Sequence, residues 1–366
     1  MMRSYMGLWY EKVIRPRLFA MDPENAHEMA ISVMETLGRF GWLCRAMQKA
    51  VQPNGTRPIE LFGLQFPTAV GMAAGMDKNA RAWQAAAAYG FGHVEIGTVT
   101  ARRQPGNDRP RLFRYPPEEA IINRMGFNND GAEAIAQRLK AHAKGKQRLI
   151  PLGVNIGKTK VVPLEQAAED YLTSFNLLAD YADYIAINVS SPNTPDLRKL
   201  QGQEHLQVLL GELSRANQAR AKRLGDNPIP LLLKIAPDLT FRQVDEVIQV
   251  VYETGVSGVI ATNTTIARPG TFAKVNEAGG LSGKPLFRRS LEVVNYLSRA
   301  TDGNLPIIGV GGITTPDRAS MMMDAGASLV QVYSGFIYGG PFFPAEIAKA
   351  LAPRHRDWVK SRRVRR

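Results

Sequence analysis

The stretch Tyr184–Arg198 reads YIAINVSSPNTPDLR and decides the fold, because it opens as a strand and ends as a rigid polar loop. Its first residues form a short apolar run rich in β-branched side chains, which is typical of a buried strand. Asn188 interrupts that run, and the two prolines of Ser190–Pro195 fix the backbone and remove hydrogen-bond donors. Taken alone, the stretch is most simply a surface loop. Repetition of the pattern along the chain favours the mouth of a barrel instead.

Eight short apolar runs predict eight strands, each followed by a helical pattern. The predicted strands are Phe66–Ala74, His93–Val99, Leu149–Ile156, Tyr184–Val189, Pro230–Ala236, Gly258–Thr262, Leu305–Val310 and Leu329–Tyr333. The helical patterns cover 79–89, 130–143, 165–182, 203–224, 240–254, 286–300, 316–325 and 344–351. Eight such units in one order predict a (β/α)8 TIM barrel, with a doubly wound sheet as the alternative. Ile59–Gln65 suggests a small hairpin, and the long stretch Thr100–Phe127 has a length that usually carries function.

Four successive predicted strands carry polar side chains at or near their C-terminal ends. These are Asn155, Asn188, Lys234 and the group Thr262-Asn263-Thr264. An unpaired buried polar group costs about 1–3 kcal/mol, and a buried charge costs more. Because the C-terminal ends of the strands meet at the face where this fold holds its chemistry, the four positions predict a shared polar ligand. Satisfied core residues are the alternative explanation.

Glycines follow the last strands, in Gly309–Gly312, in Ser334-Gly335 and in Gly279–Gly283. Such glycines let backbone N–H groups approach an anion, as in the phosphate site usual for this fold. The loop Ala73–Lys78 brings a second lysine to the same face, although a surface lysine is the simpler explanation of that residue alone. No cluster of histidine, cysteine and carboxylate forms an acid–base pair. A cofactor therefore does the chemistry, and a phosphate-bearing flavin fits, with Lys234 stabilising negative charge on its reduced form.

Composition excludes several classes of protein. The 366 residues are 45% hydrophobic, which is enough for a large core. The single cysteine, Cys44, rules out a disulfide framework, and the five histidines show no metal-ligand spacing. The sequence has neither a signal-peptide pattern nor an apolar run long enough to span a bilayer. The tail 354–366 carries +6 of the net charge of +13, which is typical of a solvated or disordered end. Binding to an anionic membrane surface is an alternative, and binding to nucleic acid is a weaker one.

The N-terminal residues 1–50 predict two short helices. The first covers about Tyr5–Val13 and ends at Arg15-Pro16-Arg17; the second begins at an Asp22 N-cap followed by Pro23. Together they carry more apolar surface than a two-helix hairpin can bury in itself. Packing on the main domain and anchoring on a membrane surface both explain that excess. The predicted domains are therefore 1–50, a barrel at 51–353 and a basic tail at 354–366.

Ten motifs within Asp22–Gly340 make the chain resemble the class 2 dihydroorotate dehydrogenases, the quinone-linked, membrane-associated enzymes of pyrimidine synthesis. The motifs are AAGMDK (73–78), EIGTVT (95–100), QPGNDRPRLFR (104–114), INRMGFNN (122–129), INVSSPNTP (187–195), KIAPDL (234–239), ATNTT (261–265), GGLSGKP (279–285), IIGVGGI (307–313) and LVQVYSG (329–335). The resemblance implies FMN-dependent oxidation of dihydroorotate to orotate, with ubiquinone or menaquinone as the electron acceptor. It settles the interpretation of the N-terminal helices in favour of a membrane-surface anchor.

The resemblance also implies roles for individual residues. Ser191, which is cysteine in class 1 enzymes, would be the base that removes the proton from C5 of dihydroorotate, while hydride passes from C6 to N5 of the flavin. Thr194 would support Ser191 through a proton relay, and Lys78 would be a further catalytic residue. The implied substrate-binding residues are Lys78, Asn123, Arg124, Met125, Gly126, Phe127, Asn188, Asn193, Asn263 and Thr264. The implied FMN-binding residues are Ala74, Gly75, Met76, Asp77, Lys78, Thr98, Asn155, Asn188, Lys234, Thr262, Gly283, Gly312, Tyr333 and Ser334. His27, Arg114 and Tyr333 would face the quinone entry.

The expected partners are therefore dihydroorotate, a quinone and a membrane surface, with no metal and no nucleic acid. The expected location is the cytoplasmic face of a bacterial inner membrane, bound peripherally, and the expected state is a monomer. A soluble flavin barrel that uses fumarate or NAD is a second interpretation, which the N-terminal helices and Ser191 disfavour. A basic scaffold that has lost catalysis is a third, which Lys78, Ser191 and Lys234 disfavour.

Overall fold

A closed barrel of eight parallel strands forms the centre of the computed structural model, which describes residues 5–143 and 148–363. In order around the barrel the strands are β3 (Val70–Met72), β4 (His93–Val99), β7 (Leu152–Ile156), β8 (Tyr184–Asn188), β9 (Leu231–Ile235), β10 (Gly258–Ala261), β12 (Ile307–Val310) and β13 (Leu329–Val332). β13 pairs with β3, which closes the ring. All eight predicted strands are present, and the predicted (β/α)8 fold is confirmed. The alternative of an open doubly wound sheet is excluded.

Helices cover the outside of the barrel. They are α5 (Ala132–Ala143), α6 (Ala167–Leu178), α7 (Gln203–Leu224), α8 (Phe241–Thr254), α9 (Phe287–Ala300), α10 (Pro316–Asp324), α11 (Ser334–Gly339) and α12 (Phe343–Arg363). The pattern at 79–89 forms only a 3-10 helix at Trp83–Tyr89. The chain before it is held open by the buried Asp77 carboxylate, which accepts hydrogen bonds from the N–H groups of Arg81 (2.9 Å) and Ala82 (2.7 Å).

A small antiparallel sheet lies within the long segment after β4. Its strands are β5 (Leu112–Tyr115), β6 (Ala120–Asn123) and the distant β11 (Gly280–Gly283), with β6 in the middle. The sheet fixes the INRMGFNN and GGLSGKP segments against each other, because Asn123 pairs with Gly280. The predicted hairpin is also present, as β1 (Ile59–Leu61) and β2 (Leu64–Phe66).

The N-terminal layer, residues 5–51, contains more helix than the predicted two-helix extension. Its elements are α1 (Tyr5–Trp9), a π-helix (Tyr10–Ile14), α2 (Arg15–Ala20), α3 (Pro23–Gly38) and α4 (Gly41–Val51). The first helix does not end at Arg15-Pro16-Arg17. The N–H of Arg15 donates to the carbonyl of Tyr10, five residues back, so Pro16 falls in the first turn of α2, where a missing N–H is tolerated. The Asp22 N-cap of α3 is confirmed, since its side chain accepts from Glu24 N and Asn25 N.

Arginine–glutamate pairs hold this layer on the barrel. Arg111 donates to both carboxylate oxygens of Glu24 at 3.0 Å, and both residues are buried. Arg81 contacts Glu28 at 2.9 Å and Glu35 at 2.8 Å. On the other side the layer leaves large apolar side chains exposed, namely Leu8, Trp9, Met21, Met29, Val33, Phe40 and Trp42.

The C-terminal tail does not begin as a separate disordered segment at residue 354, because α12 continues through it to Arg363. Residues 364–366 of the predicted tail lie outside the described part of the chain. Across residues 5–143 and 148–363, none of the helices combines the length and hydropathy that crossing a membrane requires.

Candidate functional site

The main cavity opens at the C-terminal ends of the barrel strands and encloses about 1020 Å³ of empty space, open solvent at its mouth included. Among the described residues, its lining comes from seven of the eight barrel strands or the segments that follow them, and β7 contributes none. The predicted residues that line it are Ala74, Gly75, Lys78, Thr98, Asn123, Met125, Gly126, Phe127, Asn188, Ser191, Asn193, Lys234, Thr262, Asn263, Thr264, Gly283, Gly312, Tyr333 and Ser334. Three of the four in-register polar positions of the sequence, Asn188, Lys234 and 262–264, thus converge on one space, whereas the fourth, Asn155, does not line it.

The floor of the cavity is a continuous hydrogen-bonded network. Thr98 Oγ1 donates to Asn155 Oδ1 at 2.6 Å, and Asn188 Nδ2 donates to Thr98 Oγ1 at 2.9 Å. Asn155 lies one layer deeper than the lining and is fully buried. Because the network fixes the amide of each asparagine, the groups that face the cavity are oriented before any ligand binds.

The loop after β8 places Ser191 on the cavity wall. Its hydroxyl is almost completely buried and accepts a hydrogen bond from Asn193 N at 3.3 Å. The Asn193 side chain donates to Asn123 O at 3.0 Å, which joins this loop to the small antiparallel sheet. Thr194 does not line the cavity; its Oγ1 is buried without a hydrogen-bond partner among the described residues. A buried hydroxyl in that state is available to a water or to a neighbouring hydroxyl.

Two residues that sequence reasoning missed hold the loop from opposite sides. Asn107 Nδ2 donates to Arg124 O at 2.9 Å and to Asn193 O at 3.3 Å. Arg198 donates to Ser190 O at 3.1 Å and to Thr264 O at 3.0 Å, and pairs with Asp238 at 2.8 Å. Arg198 thereby joins the loops that follow β8, β9 and β10. Only its position at the end of the quoted stretch could have drawn attention to it.

Glu95 and Gln331 were also missed by sequence reasoning. Glu95 lies inside the barrel below Lys234, and its Oε1 is 3.3 Å from Lys234 Nζ. Gln331 Nε2 donates to Glu95 Oε2 at 2.8 Å, and Gln331 reaches the cavity lining. Gln331 is the single polar residue of β13 and Glu95 is the single acidic residue of β4, and these interruptions are the signal by which both could have been found.

The charge of the lining is positive. Lys78 and Lys234 line the cavity, and no Asp or Glu is among the described residues that do. Burial, together with the positive charge of Arg111, lowers the pKa of Lys78 to about 8. A cavity with two lysines, several amides and no acid is suited to an anionic ligand with several hydrogen-bond acceptors.

Glycines form part of the cavity wall. Gly283 and Gly312 both have positive φ, at +89° and +68°. A Cβ at Gly283 would lie 2.1 Å from Glu119 O, and a Cβ at Gly312 would lie 2.5 Å from Phe287 N. Only glycine fits at these two places, because the backbone of Glu119 and of Phe287 occupies the space that a side chain would need. This agrees with the prediction of a phosphate-binding wall, which stays a prediction.

A second cavity, which we call the side cavity, lies between the main cavity and α3 and encloses about 600 Å³ of empty space, open solvent included. His27 and Glu24 line it from the N-terminal layer, while Lys78, Met125 and Tyr333 line both cavities. Burial, with a contribution from the Lys78 charge, lowers the pKa of His27 to about 4, so its imidazole is neutral near pH 7. His27 and Tyr333, two of the three residues predicted to face the quinone, therefore line the same side cavity.

Several predicted site residues lie elsewhere. Arg114 donates to the carbonyls of Leu18 (3.0 Å), Phe19 (3.3 Å) and Met21, and so closes the end of α2. Arg124 points away from the cavity to Glu277, at 2.6 Å. Asp77 caps the turn at Arg81-Ala82, and Met76 lines only the side cavity. These residues support the walls from behind. Within the described chain, no group of three or more metal-ligating side chains comes together.

The fold and the site define a (β/α)8-barrel enzyme whose anion-binding site lies at the C-terminal ends of the strands. A family model described as dihydroorotate dehydrogenase matches residues 58–354. The chain belongs to the dihydroorotate dehydrogenase family.

Individual relatives agree with that assignment. A protein of Chloroflexus aurantiacus named dihydroorotate dehydrogenase (quinone) is 50% identical over 353 residues, which is 94% of this chain and 96% of the relative. A protein of the same name from Salinispora arenicola is 51% identical over 339 residues, covering 91% and 96%. A solved structure of DHODH from Eimeria tenella in complex with ferulenol has a TM-score of 0.80 at 36% identity, covering 93% of both chains.

Proposed function

We propose that this chain is a quinone-dependent dihydroorotate dehydrogenase that oxidises dihydroorotate to orotate, with FMN as its cofactor and a quinone as its electron acceptor. The observation that carries the proposal is the main cavity, in which Ser191, Lys78, Lys234 and four asparagines converge and no carboxylate is present among the described lining residues. The family assignment and the names of the relatives support the same reaction.

The residues present fit FMN. Gly283 and Gly312 line the cavity without side chains, and such glycine-rich backbone suits a phosphate because its N–H groups can approach an anion. Lys234 and the amides of the cavity floor suit the polar edge of the isoalloxazine ring. When bound, FMN supplies the two-electron chemistry that no side chain of the cavity can supply.

The substrate wall is formed by Lys78, Asn123, Asn188, Asn193 and Asn263. The carboxylate and ring carbonyls of dihydroorotate are acceptors, and an ammonium and fixed amide N–H groups are the donors that they require. Lys78 carries the charge that complements the carboxylate. Asn193 Nδ2 donates to Asn123 O and Asn263 Nδ2 donates to Ser190 Oγ, both at 3.0 Å, and these bonds fix the two side chains in the wall.

Ser191 is the base that takes the C5 proton. A serine is a weak base, so the surroundings must favour its deprotonated form at the moment of transfer. The N–H of Asn193 donates to Ser191 Oγ and stabilises negative charge there. The buried Thr194 hydroxyl, three residues farther along the loop, offers an exit for the proton.

The side cavity and the N-terminal layer form the quinone path. The two cavities share Lys78, Met125 and Tyr333, so a quinone that enters beside α3 comes within one side chain of the main cavity. Trp9, Phe40 and Trp42 on the outside of the layer are the type of exposed apolar residues that lie in a membrane interface. The protein would thus bind a membrane surface peripherally.

An anaerobic titration tests the proposal. Dihydroorotate added to the purified protein is expected to bleach the long-wavelength flavin absorbance, and a soluble quinone is expected to restore it, whereas fumarate and NAD are not. Bleaching without recovery by quinone would retain the first half-reaction and reject the acceptor. Absence of bound flavin, or of bleaching, would reject the proposed function.

A further inference from the structure

Glu95 is the centre of a polar cluster inside the barrel. Its side chain is completely buried, and three donors from three other strands point at it. Asn155 Nδ2 donates to Oε1 at 2.8 Å, Lys234 Nζ lies 3.3 Å from the same oxygen, and Gln331 Nε2 donates to Oε2 at 2.8 Å. Glu95 therefore contacts β7, β9 and β13 at once, from its own place on β4.

The cluster pairs one buried negative charge with one buried positive charge. Burial lowers the pKa of His93, the neighbour of Gln331, to about 3, so this imidazole is neutral. Lys234 is consequently the cation that contacts Glu95 among the described residues. Ions in a low-dielectric interior act over longer distances than in water, so the field of this pair extends into the cavity above it.

Glu95 acts only through other residues. It does not line the main cavity, whereas two of its three partners, Lys234 and Gln331, do. An ammonium beside the cavity stabilises added negative charge there, and a carboxylate 3.3 Å behind that ammonium weakens the effect. The same carboxylate fixes the direction of the Lys234 and Gln331 side chains.

We propose that Glu95 is a positioning residue that orients Lys234 and Gln331 and lowers the reduction potential of the flavin bound above them. The proposal rests on the assignment of FMN under the proposed function. Its physical basis is the buried carboxylate, which opposes the gain of electron density in the cavity, while Lys234 favours that gain.

The variant Glu95→Gln removes the charge and is compatible with the fold. The new amide would place one N–H₂ where an oxygen now accepts a hydrogen bond. Gln331 can compensate, because its Oε1 has no hydrogen-bond partner among the described residues and its amide can rotate to accept from the new donor. The hydrogen bond between β4 and β13 is then restored with its direction reversed.

The test is the midpoint potential of the bound flavin, measured by anaerobic reductive titration against a reference dye of known potential. In Glu95→Gln the equilibrium constant for flavin reduction is expected to rise about tenfold, which corresponds to about +30 mV for a two-electron couple. Glu95→Asp keeps the charge but withdraws it from Lys234, so a rise of about threefold in the same equilibrium constant is expected.

Asp170→Asn is the matched control, because Asp170 is a buried carboxylate that accepts from Thr159 N and Oγ1 outside the cavity lining. No change is expected there.

The outcomes separate the inference from the function on which it rests. An unchanged or lower potential in Glu95→Gln with stoichiometric flavin would overturn the role of Glu95 and leave the proposed function intact. If Glu95→Gln does not fold, an unchanged potential in Glu95→Asp overturns the role equally. A change of the same size in Asp170→Asn would show a general effect of buried charge and would also overturn it. A wild-type protein that binds no flavin would refute the proposed function and the inference together.

Discussion

The main cavity and the N-terminal layer are built in opposite ways. The cavity is held by buried hydrogen bonds between residues far apart in sequence, such as Asn188 with Thr98 and Asn193 with Asn123. The layer rests on the barrel through arginine–glutamate pairs and through buried apolar side chains such as Ile31 and Met34, and it leaves Trp9 and Trp42 exposed, at 54% and 73%. A rigid site suits proton and hydride transfer, which require fixed distances, whereas an exposed apolar layer suits contact with a membrane. Under the proposed function, the cavity would carry out flavin reduction and the layer would serve the reaction with quinone.

The largest effect is expected at Ser191. In Ser191→Ala the rate of flavin reduction by dihydroorotate should fall about 10³-fold, since a positioned general base contributes about 10²- to 10⁴-fold. Flavin content and reoxidation of chemically reduced flavin by quinone should stay normal, because Ser191 belongs to the cavity and not to the layer. Stopped-flow absorbance measures both steps. A rate of reduction within threefold of wild type would remove Ser191 from the role of base.

A smaller effect is expected from the arginine that joins the three loops. In Arg198→Met, Ser190 O and Thr264 O lose their donor and Asp238 loses its cation. Misplacement of the Ser191 loop by about 1 Å can lower the rate up to about 10²-fold, so we expect flavin reduction to slow about 30-fold at saturating substrate.

Arg198→Lys distinguishes positioning from simple loss of stability. A lysine restores the charge opposite Asp238 but cannot donate to both carbonyls, so it should recover only part of the rate. Quinone reoxidation should be unchanged in both variants. Equal loss in both half-reactions would show that the cavity and the layer are not mechanically separate.

The N-terminal layer is tested on its exposed surface. In Trp9→Ser/Trp42→Ser, binding to lipid vesicles and turnover with a membrane-embedded quinone should both fall about tenfold, since buried apolar area in the interface is lost. Flavin reduction by dihydroorotate should not change. Val208→Ser is the matched control, because Val208 is 60% exposed on α7, away from the layer. An equal loss in the control would mean that exposed apolar residues in general, and not this layer, meet the membrane.

Periodicity predicted the barrel well because buried parallel strands are continuous apolar runs between turn residues. The observed bounds of β4 and α7 coincide with those predicted at His93–Val99 and 203–224. The antiparallel sheet was missed, because its strands have four residues each and β11 lies more than 150 residues from β6. The predicted end of the helix that begins at Tyr5 was too early in the chain, since a π-helical segment that accommodates Pro16 has no sequence pattern of its own.

Motifs predicted most of the cavity lining, because the polar residue at the end of a barrel strand must face the mouth. The motifs could not distinguish residues that line the cavity from residues that lie behind the lining and support it. Asn155 carries the same amide as the lining residue Asn188, and Asp77 directly precedes the lining residue Lys78, but neither lines the main cavity. Glu95 and Arg198 act through partners on other strands, and such contacts depend on tertiary geometry that a single sequence does not contain.

The smallest effect is expected from pH, and it again separates the regions. The pKa of Lys78, lowered to about 8 by burial and by Arg111, means that its ammonium is present below pH 8 and lost above it. The KM for dihydroorotate should therefore be constant between pH 6 and 7.5 and rise by up to about tenfold by pH 9, since one pKa unit is a factor of ten.

The quinone side should not respond in this way. His27, with a pKa near 4, is neutral throughout pH 6–9, and a quinone carries no charge for Lys78 to attract. In Lys78→Arg the guanidinium stays protonated, so the KM for dihydroorotate should not rise between pH 7.5 and 9. The different geometry of the guanidinium can raise this KM by the same factor at every pH. Steady-state assays with each substrate varied in turn measure both profiles. A KM for quinone that rises in parallel with that for dihydroorotate would show that Lys78, which lines both cavities, couples the two regions rather than serving the substrate alone.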